Sequence, residues 1–248
     1  MNPNPSPGHQ GDLPAKVQVV IVNWNSGVWL GKSVGSIARF GGANVDRVVV
    51  VDNASADGSA DVIAPGIDLR IIQTGANLGF GKACNLGAAG ATAPYLLFLN
   101  PDAMLQPGSL ADVLRFMESP EAAGVGVCGI RLVGEAGEVQ HHTTNQPTPW
   151  TLFNLALLRT RFDHLQSRTV GHVIGAFYLI RREVFEAVGG FDERFFVYLE
   201  DLDLSVRVAA TGWKIHYLAE ASAFHKGGGT SEQVKAHRLF YSMQSRIL

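Results

Sequence analysis

Four short apolar runs set the rhythm of the first part of the chain. They are VQVVIVN from Val17 to Asn23, RVVVV from Arg47 to Val51, Leu69 to Gln73, and YLLFL from Tyr95 to Leu99. The first two, rich in β-branched residues, read as buried strands, and the other two read as strands as well. The stretches between them change period. Ser26 to Phe40 carries Trp29, Leu30, Val34 and Ile37 at helical spacing, and Ser59 to Ala64 reads as a short helix. Asn77 to Ala91 reads as a loop turning into a helix of small residues, and Gly108 to Glu118 as another helix. Alternation of strand and helix predicts an open parallel sheet with helices on both faces. Sheets of that kind take ligands beyond the carboxyl ends of their strands. Here those ends carry Asn23, Asp52-Asn53 and Asn100-Pro101-Asp102.

The second half is less regular. Val125 to Leu132 predicts one or two strands, Val173 to Ile180 one strand, and Glu183 to Val188 a short helix closed by Gly189-Gly190. Glu200 to Ala210 reads as a helix, then Lys214 to Tyr217 and Ser222 to His225 as two short strands. Between them, Gly134 to Gly171 is a long connection with an apolar stretch from Trp150 to Leu158. The segment 231–248 predicts an amphipathic helix with Val234, Phe240, Met243 and Ile247 on one stripe. With Lys235, Arg238 and Arg246 beside that stripe, it suits peripheral contact with an anionic membrane as well as packing on its own domain.

Composition narrows the class. At 248 residues the chain is long enough for one large domain with a sizeable core. Hydrophobic residues are 46 % and charged residues 17 %, so disorder is excluded for the bulk of the chain. Residues 1–15, rich in Pro, Gly and Asn, read as a disordered lead-in. A net charge of −2 argues against nucleic acid as partner. Cys84 and Cys128 make neither a disulfide framework nor a four-ligand zinc site, and fit a reducing cytoplasm. No apolar run reaches the roughly 18 residues of a spanning helix, and the start lacks a basic-then-apolar leader.

Several clusters carry candidate chemistry. Ser26 to Ser33 ends in Gly31-Lys32-Ser33 and nearly matches the phosphate-binding G-x-x-x-x-G-K-[ST] loop, but it lacks the first glycine. An amphipathic helix is the better reading there. Asp52 to Ser59 (DNASADGS) offers acceptor-rich side chains after a buried strand, suited to a base or ribose and equally to a turn that caps a helix. Asn77 to Asn85 places Gly79 and Gly81 where close backbone approach or an anion is favoured. Asp102, just past a buried strand, can hold a divalent cation that takes its remaining ligands from phosphate oxygens. His225, followed by Lys226 and three glycines, can add a second ligand. Glu200-Asp201-Leu202-Asp203 opens a helix behind the apolar run Phe195 to Leu199; desolvation there can prepare a carboxylate as a general base.

Taken in order, these motifs resemble those of glycosyltransferase family 2, the inverting nucleotide-sugar enzymes of the GT-A fold. The likeness rests on Val22-Asn23-Trp24-Asn25, Asp52 to Ser59, Asn77-Leu78-Gly79-Phe80 with Asn85, and Leu99-Asn100-Pro101-Asp102. It continues through Gly175-Ala176, Gly189 to Leu204, Arg207, and His225 to Gly228. Asn-Pro-Asp followed by Glu-Asp-x-Asp-Leu is most similar to the rhamnosyltransferase-like branch. Asn100 stands where much of the family has an acid, and Gly171-His172 where that branch often has Asp and Trp.

The resemblance implies a single α/β domain over 16–230, with a mostly parallel, Rossmann-like central sheet. It implies a hexosyltransferase that moves a sugar, rhamnose in that branch, from a UDP- or dTDP-sugar to a glycan or lipid-linked acceptor, with Mg or Mn as cofactor. Asn23, Asn25, Asp52, Asn53, Ser55, Asp57, Asn77, Gly79, Phe80 and Asn100 would bind the donor. Asp102 and His225 would hold the metal, Asp201 would be the general base, and Glu200 would position the acceptor hydroxyl. Gly175, Ala176 and Asp203 would contact the acceptor. The implied location is cytoplasmic, at the inner face of the cell membrane. The family commonly continues past the point where this chain stops. Two other readings stay open: a non-catalytic nucleotide-sugar binding module or inactive fragment, and a P-loop-like nucleotide hydrolase.

Overall fold

The computed structural model describes residues 16–140 and 163–227. The disordered lead-in, the apolar stretch 150–158 and the amphipathic helix 231–248 lie outside the described residues. Strands β1 (Val17–Asn23), β2 (Val45–Asp52), β3 (Leu69–Gln73) and β4 (Tyr95–Leu99) form a parallel block in the order β3-β2-β1-β4. The chain runs β1, β2, β3 to one side and then returns to place β4 on the other side of β1. That reversal opens a crevice beyond the ends of β1 and β4, the usual ligand position in such a sheet.

The sheet continues through β8 (Phe177–Arg181), antiparallel to β4, then β6 (Val125–Val133), β9 (Lys214–His225) and β5 (Ala103–Leu105). β7 (Arg168–Val170) pairs with β9. Helices α1 (Val28–Phe40) and α3 (Ser109–Met117) cover one face; Leu30, Val34, Ile37, Leu110 and Val113 are buried there. Helices α2 (Phe80–Ala88), α4 (Arg182–Ala187) and α5 (Glu200–Ala210) cover the other; Ala83, Cys84, Val184, Leu204 and Val208 are buried there. Every residue of β1 and β4 is buried because both faces are covered, which is why their sequences show no alternation.

Three expectations are corrected. Ser59 to Ala64 is not helical. Ser59 is held in a turn by its N–H, which donates to the Asp57 carboxylate, and by its hydroxyl oxygen, which accepts from the Asn23 amide, and Pro65 disfavours helix at Ala64. Residues 173–176 precede β8 as a loop rather than joining it. The two strands expected between Lys214 and His225 are one, with a register break where Ile130 faces Leu218 and Arg131 faces Ser222. Gly31-Lys32-Ser33 lie inside α1, in agreement with the helical reading of that segment. Backbone N–H groups bonded within a helix cannot cradle a phosphate, so the nucleotide-hydrolase reading falls. No described helix is long and apolar enough to cross a membrane.

Helix α2 sits close to the sheet because Gly87 faces it. A Cβ at Gly87 would drive into Val20 and lie 3.0 Å from Val51 Cγ2. Gly87→Ala is therefore expected to cost about 1–3 kcal/mol by overpacking, read as a lower midpoint in urea with an unchanged slope. An unchanged midpoint would show that α2 can shift freely.

Candidate active site

The site begins where β1 and β2 end in register, Asn23 opposite Asp52. The Asn23 side-chain NH2 lies 2.8 Å from Asp52 Oδ1, 3.0 Å from Ser55 Oγ and 2.9 Å from Ser59 Oγ. Its carbonyl oxygen accepts the Ser26 hydroxyl. Asn23 is fully buried, and its polar atoms are occupied inside the protein. It therefore organises the loops instead of projecting into the crevice. The loop after β1 is laced to the loop after β2: Asn25 N–H donates to Ser55 Oγ (2.9 Å), Ala56 N–H to Asn25 Oδ1 (2.8 Å) and Gly27 N–H to Asp57 Oδ2 (2.8 Å). Asn53 is buried, and its NH2 donates to the Gly79 carbonyl at 3.1 Å. Its own side-chain oxygen is buried with no donor among the described residues, an arrangement that costs free energy unless a ligand supplies one.

Gly79 has φ +84°, and a Cβ there would collide with the Phe196 carbonyl oxygen. That same carbonyl accepts the Phe80 N–H at 2.7 Å, so the loop before α5 is seated on the start of α2. Asn77 Oδ1 accepts the Gly79 N–H at 3.0 Å and shapes the turn. The non-glycine residues at positive φ among those described are Asn25, Ala54, Tyr198 and Leu199. All of them sit in these loops. Strained backbone of this kind persists only where its surroundings enforce it, and it gathers at functional sites.

At the end of β4, Asp102 is buried and its Oδ1 lies 3.5 Å from His225 Nε2. Gln140 fixes that histidine: its NH2 donates to the His225 carbonyl at 2.6 Å and its oxygen faces Nδ1 at 2.8 Å. With the amide so oriented, Nδ1 carries the proton and the Nε2 lone pair faces the carboxylate. Among the described residues, no group of three His, Cys, Asp or Glu side chains gathers as a complete metal cage.

Gly175 and Ala176 join this end to the start of α5. Gly175 N–H donates to Asp201 Oδ2 at 2.8 Å, and the Ala176 carbonyl accepts the Asn100 N–H at 3.2 Å. Asp201 Oδ1 takes the Leu202 N–H at 2.8 Å. Its carboxylate is thus fixed in direction, with lone pairs left for a hydroxyl. The Phe80 ring also borders Gly175: a Cβ at Gly175 would touch it at 3.6 Å. The carboxyl group that the apolar wall affects most is Glu200. Burial, and then the neighbouring Asp201 charge, push it up to about 8, and its Oε2 has no partner among the described residues. Asp203 is committed elsewhere: Arg207 binds it at 2.7 Å and also donates to the Val188 and Gly190 carbonyls at 2.8 Å.

The sequence reading thus located Asn25, Asp52, Ser55, Asp57, Asn77, Phe80, Asn100, Asp102, His225, Gly175, Ala176 and Asp201 around one crevice. It quoted Ser26 and Ser59 within motifs without giving either a role of its own, and it did not point to Gln140; their roles come from contacts between distant segments. Behind Asp201 it also missed Ser205 and Tyr178; the Ser205 hydroxyl donates to the Asp201 carbonyl at 2.8 Å.

Residues 18–189 match the family model described as glycosyl transferase family 2, and the chain belongs to that family. It is a glycosyltransferase of GT-A fold with rhamnosyltransferase relatives. The N-acetylglucosaminyl-diphospho-decaprenol L-rhamnosyltransferase of Mycobacterium tuberculosis is 30 % identical over 249 residues, covering 88 % of this chain and 79 % of that protein. Rhamnosyltransferase WbbL of Escherichia coli (strain K12) is 30 % identical over 166 residues, covering 61 % of this chain and 62 % of its own. Among solved structures, GalNAc-T7 with UDP, GalNAc and Mn2+ superposes with a TM-score of 0.67 at 16 % identity, covering 86 % of this chain and 44 % of that one. The mannosyltransferase PcManGT from Pyrobaculum calidifontis, in complex with GDP-Man and Mn2+, gives a TM-score of 0.64 at 18 % identity, covering 94 % and 64 %.

Glu200 makes stability depend on pH. Its folded pKa lies above its ordinary value, so between about 4.5 and 8 the folded state binds more protons than the unfolded state. Stability conferred by the neutral acid is present at low pH and is lost as pH rises through that window. Glu200→Gln should match the native chain near pH 4 and melt several degrees higher at pH 8.5. Parallel melting curves at both pH values would contradict this account of Glu200.

Proposed function

We propose that this glycosyltransferase works by inversion, moving a sugar from a nucleotide-diphospho-sugar to a hydroxyl of a saccharide or lipid-linked saccharide. The observation that carries the reading is the Gly175-Ala176 bridge. It links a carboxylate fixed at the start of α5 to the turn bearing the Asp102–His225 pair. Inversion by direct displacement needs one base and one means of stabilising the departing diphosphate, and these two groups match that need.

Asp201 is the base in this reading, and it takes the proton of the acceptor hydroxyl. Glu200, neutral at pH 7 and adjacent in sequence, can donate a hydrogen bond without adding a second charge. Asp102 and His225 fit a divalent cation: both present acceptors, and Gln140 orients the histidine as supporting residues do at metal sites. When bound, Mg or Mn would offset charge on the diphosphate oxygens. The donor in this reading is a UDP- or dTDP-sugar, and the unpartnered oxygen of Asn53 is an acceptor for an N–H of its base. Asn25, Asp52, Ser55, Asp57, Asn77 and Phe80 shape that pocket. The relatives' names favour rhamnose as the sugar and a lipid-linked saccharide as the acceptor. An acceptor of that kind would bring the enzyme to a membrane surface in cell-wall or polysaccharide synthesis.

Asp201→Asn is expected to lower kcat by about 10²- to 10⁴-fold while donor Kd stays within about twofold. A near-normal rate would remove the base assignment. Asp102→Ala should weaken donor binding in Mn2+ about tenfold or more and leave metal-free binding unchanged, by calorimetric titration. Identical titrations with and without metal would contradict the cation site. A thermal-shift series of nucleotide sugars with Mn2+ tests the donor class, since stabilisation grows as RT ln(1 + [L]/Kd).

A further inference from the structure

The residue behind the base is a histidine. His172 is buried, and its Nε2 lies 3.9 Å from Asp201 Oδ2, on the oxygen that Gly175 also holds. Its Nδ1 lies 3.1 Å from Ser205 Oγ, and Tyr178 OH lies 3.1 Å from the same hydroxyl oxygen. The hydrogen count decides the tautomer. Ser205 spends its one proton on the Asp201 carbonyl at 2.8 Å, so its oxygen can only accept from the two others. Tyr178 therefore donates to it, and His172 donates through Nδ1–H. The Nε2 lone pair is left facing the Asp201 carboxylate with no proton between them.

Two acceptors facing each other in a buried site repel unless a proton lies between them. In the resting site that proton is missing, and the reaction supplies one. We propose that His172 is a positioning residue for Asp201 and the second resting place of the acceptor's proton. The proposal rests on Asp201 being the base. In the transfer step the acceptor O–H bond breaks and its proton goes to Asp201. The freed electron pair forms the new O–C1 bond, and the C1–O bond to the diphosphate breaks with its pair leaving on the nucleoside diphosphate. The proton then passes from Asp201 to His172 Nε2, giving an imidazolium beside a carboxylate, and is later lost to water. The gap exceeds a hydrogen bond by about 1 Å, so a small rotation of the ring on its Ser205 anchor closes it.

The surrounding charges are consistent with this. Asp201 is the charged group that acts on His172, while desolvation holds the free imidazole below its ordinary value and so neutral at pH 7. Tyr178, across Ser205, is fully buried and stays protonated. Asp203 and Arg207, farther along α5, act on Tyr178 with opposite signs. Glu200 and Cys84 both feel the Asp201 charge, and both are pushed up by burial and thus uncharged at neutral pH. Asp201 is then the lone charge of its immediate cluster, and a proton that reaches it has one basic nitrogen within reach.

The test is the pH profile of kcat/KM, measured for the native enzyme, His172→Gln and Asp201→Asn with the donor that thermal shift identifies. Glutamine fills the Nε2 position with an amide that cannot take a proton. The native profile should fall on the acid side with a slope of one, as the imidazolium forms and blocks the nitrogen. His172→Gln should lose that limb, which lies on the acid side of an ordinary imidazole, and reduce kcat about tenfold, with donor KM unchanged. A native-like limb and rate in His172→Gln overturns the proposal. Near-normal activity in Asp201→Asn overturns the base assignment instead, so the two failures are distinct. If His172→Gln does not fold, 15N shifts of His172 in the native enzyme decide: a protonated Nδ1 with a bare Nε2 at pH 7 supports the proposal, and the reverse tautomer overturns it.

Discussion

The arrangement depends on two consecutive backbone groups. Gly175 offers its N–H to Asp201, and Ala176 offers its carbonyl to Asn100. Such bonds are short and nearly directional, so they fix the acidic end of α5 against the turn that carries Asp102. The segment lies where it does because β8 follows at once and pairs antiparallel with β4, Phe177 against Leu99. One antiparallel strand beside a parallel block thus sets the separation of the two chemical ends of the crevice.

The same economy appears on the other side. Asn23 is buried with its amide shared among Asp52, Ser55 and Ser59, and the two loops after β1 and β2 are tied by it. A buried polar network of this kind is costly when incomplete and specifying when complete. Positive φ at Asn25 and Ala54 shows where the chain is bent to meet it. Asn53 breaks the pattern with a buried oxygen that has no donor among the described residues.

Much of the fold was legible from periodicity. The strands at Val17, Arg47, Leu69 and Tyr95, and the helices ending near Phe40, Met117 and Ala210, follow from apolar spacing alone. The misses have physical causes. Ala103–Leu105 and Arg168–Val170 are too short to show a period and exist because β9 offers them an edge. Ser59 to Ala64 has helical spacing, yet its first residue is held by Asn23 and Asp57. Asp203, one turn along from the acid pair, is drawn to Arg207 because residues four apart on a helix face each other.

The chemistry divides in the same way. Sequence alone determined which residue types end the strands: Asn23, Asp52 and Asp102 after apolar runs, and three acids opening a helix. Those follow from local order, since a buried strand must deliver its next residue to the sheet's rim. Which acid becomes neutral and which stays free to act was decided only by tertiary structure. Glu200 and Asp201 are neighbours with nearly the same chemistry, and the step of about 100° between adjacent helical residues sends the first into the apolar wall and the second to Gly175 and His172. Burial and partners belong to the folded surroundings, and for adjacent residues no local pattern encodes them.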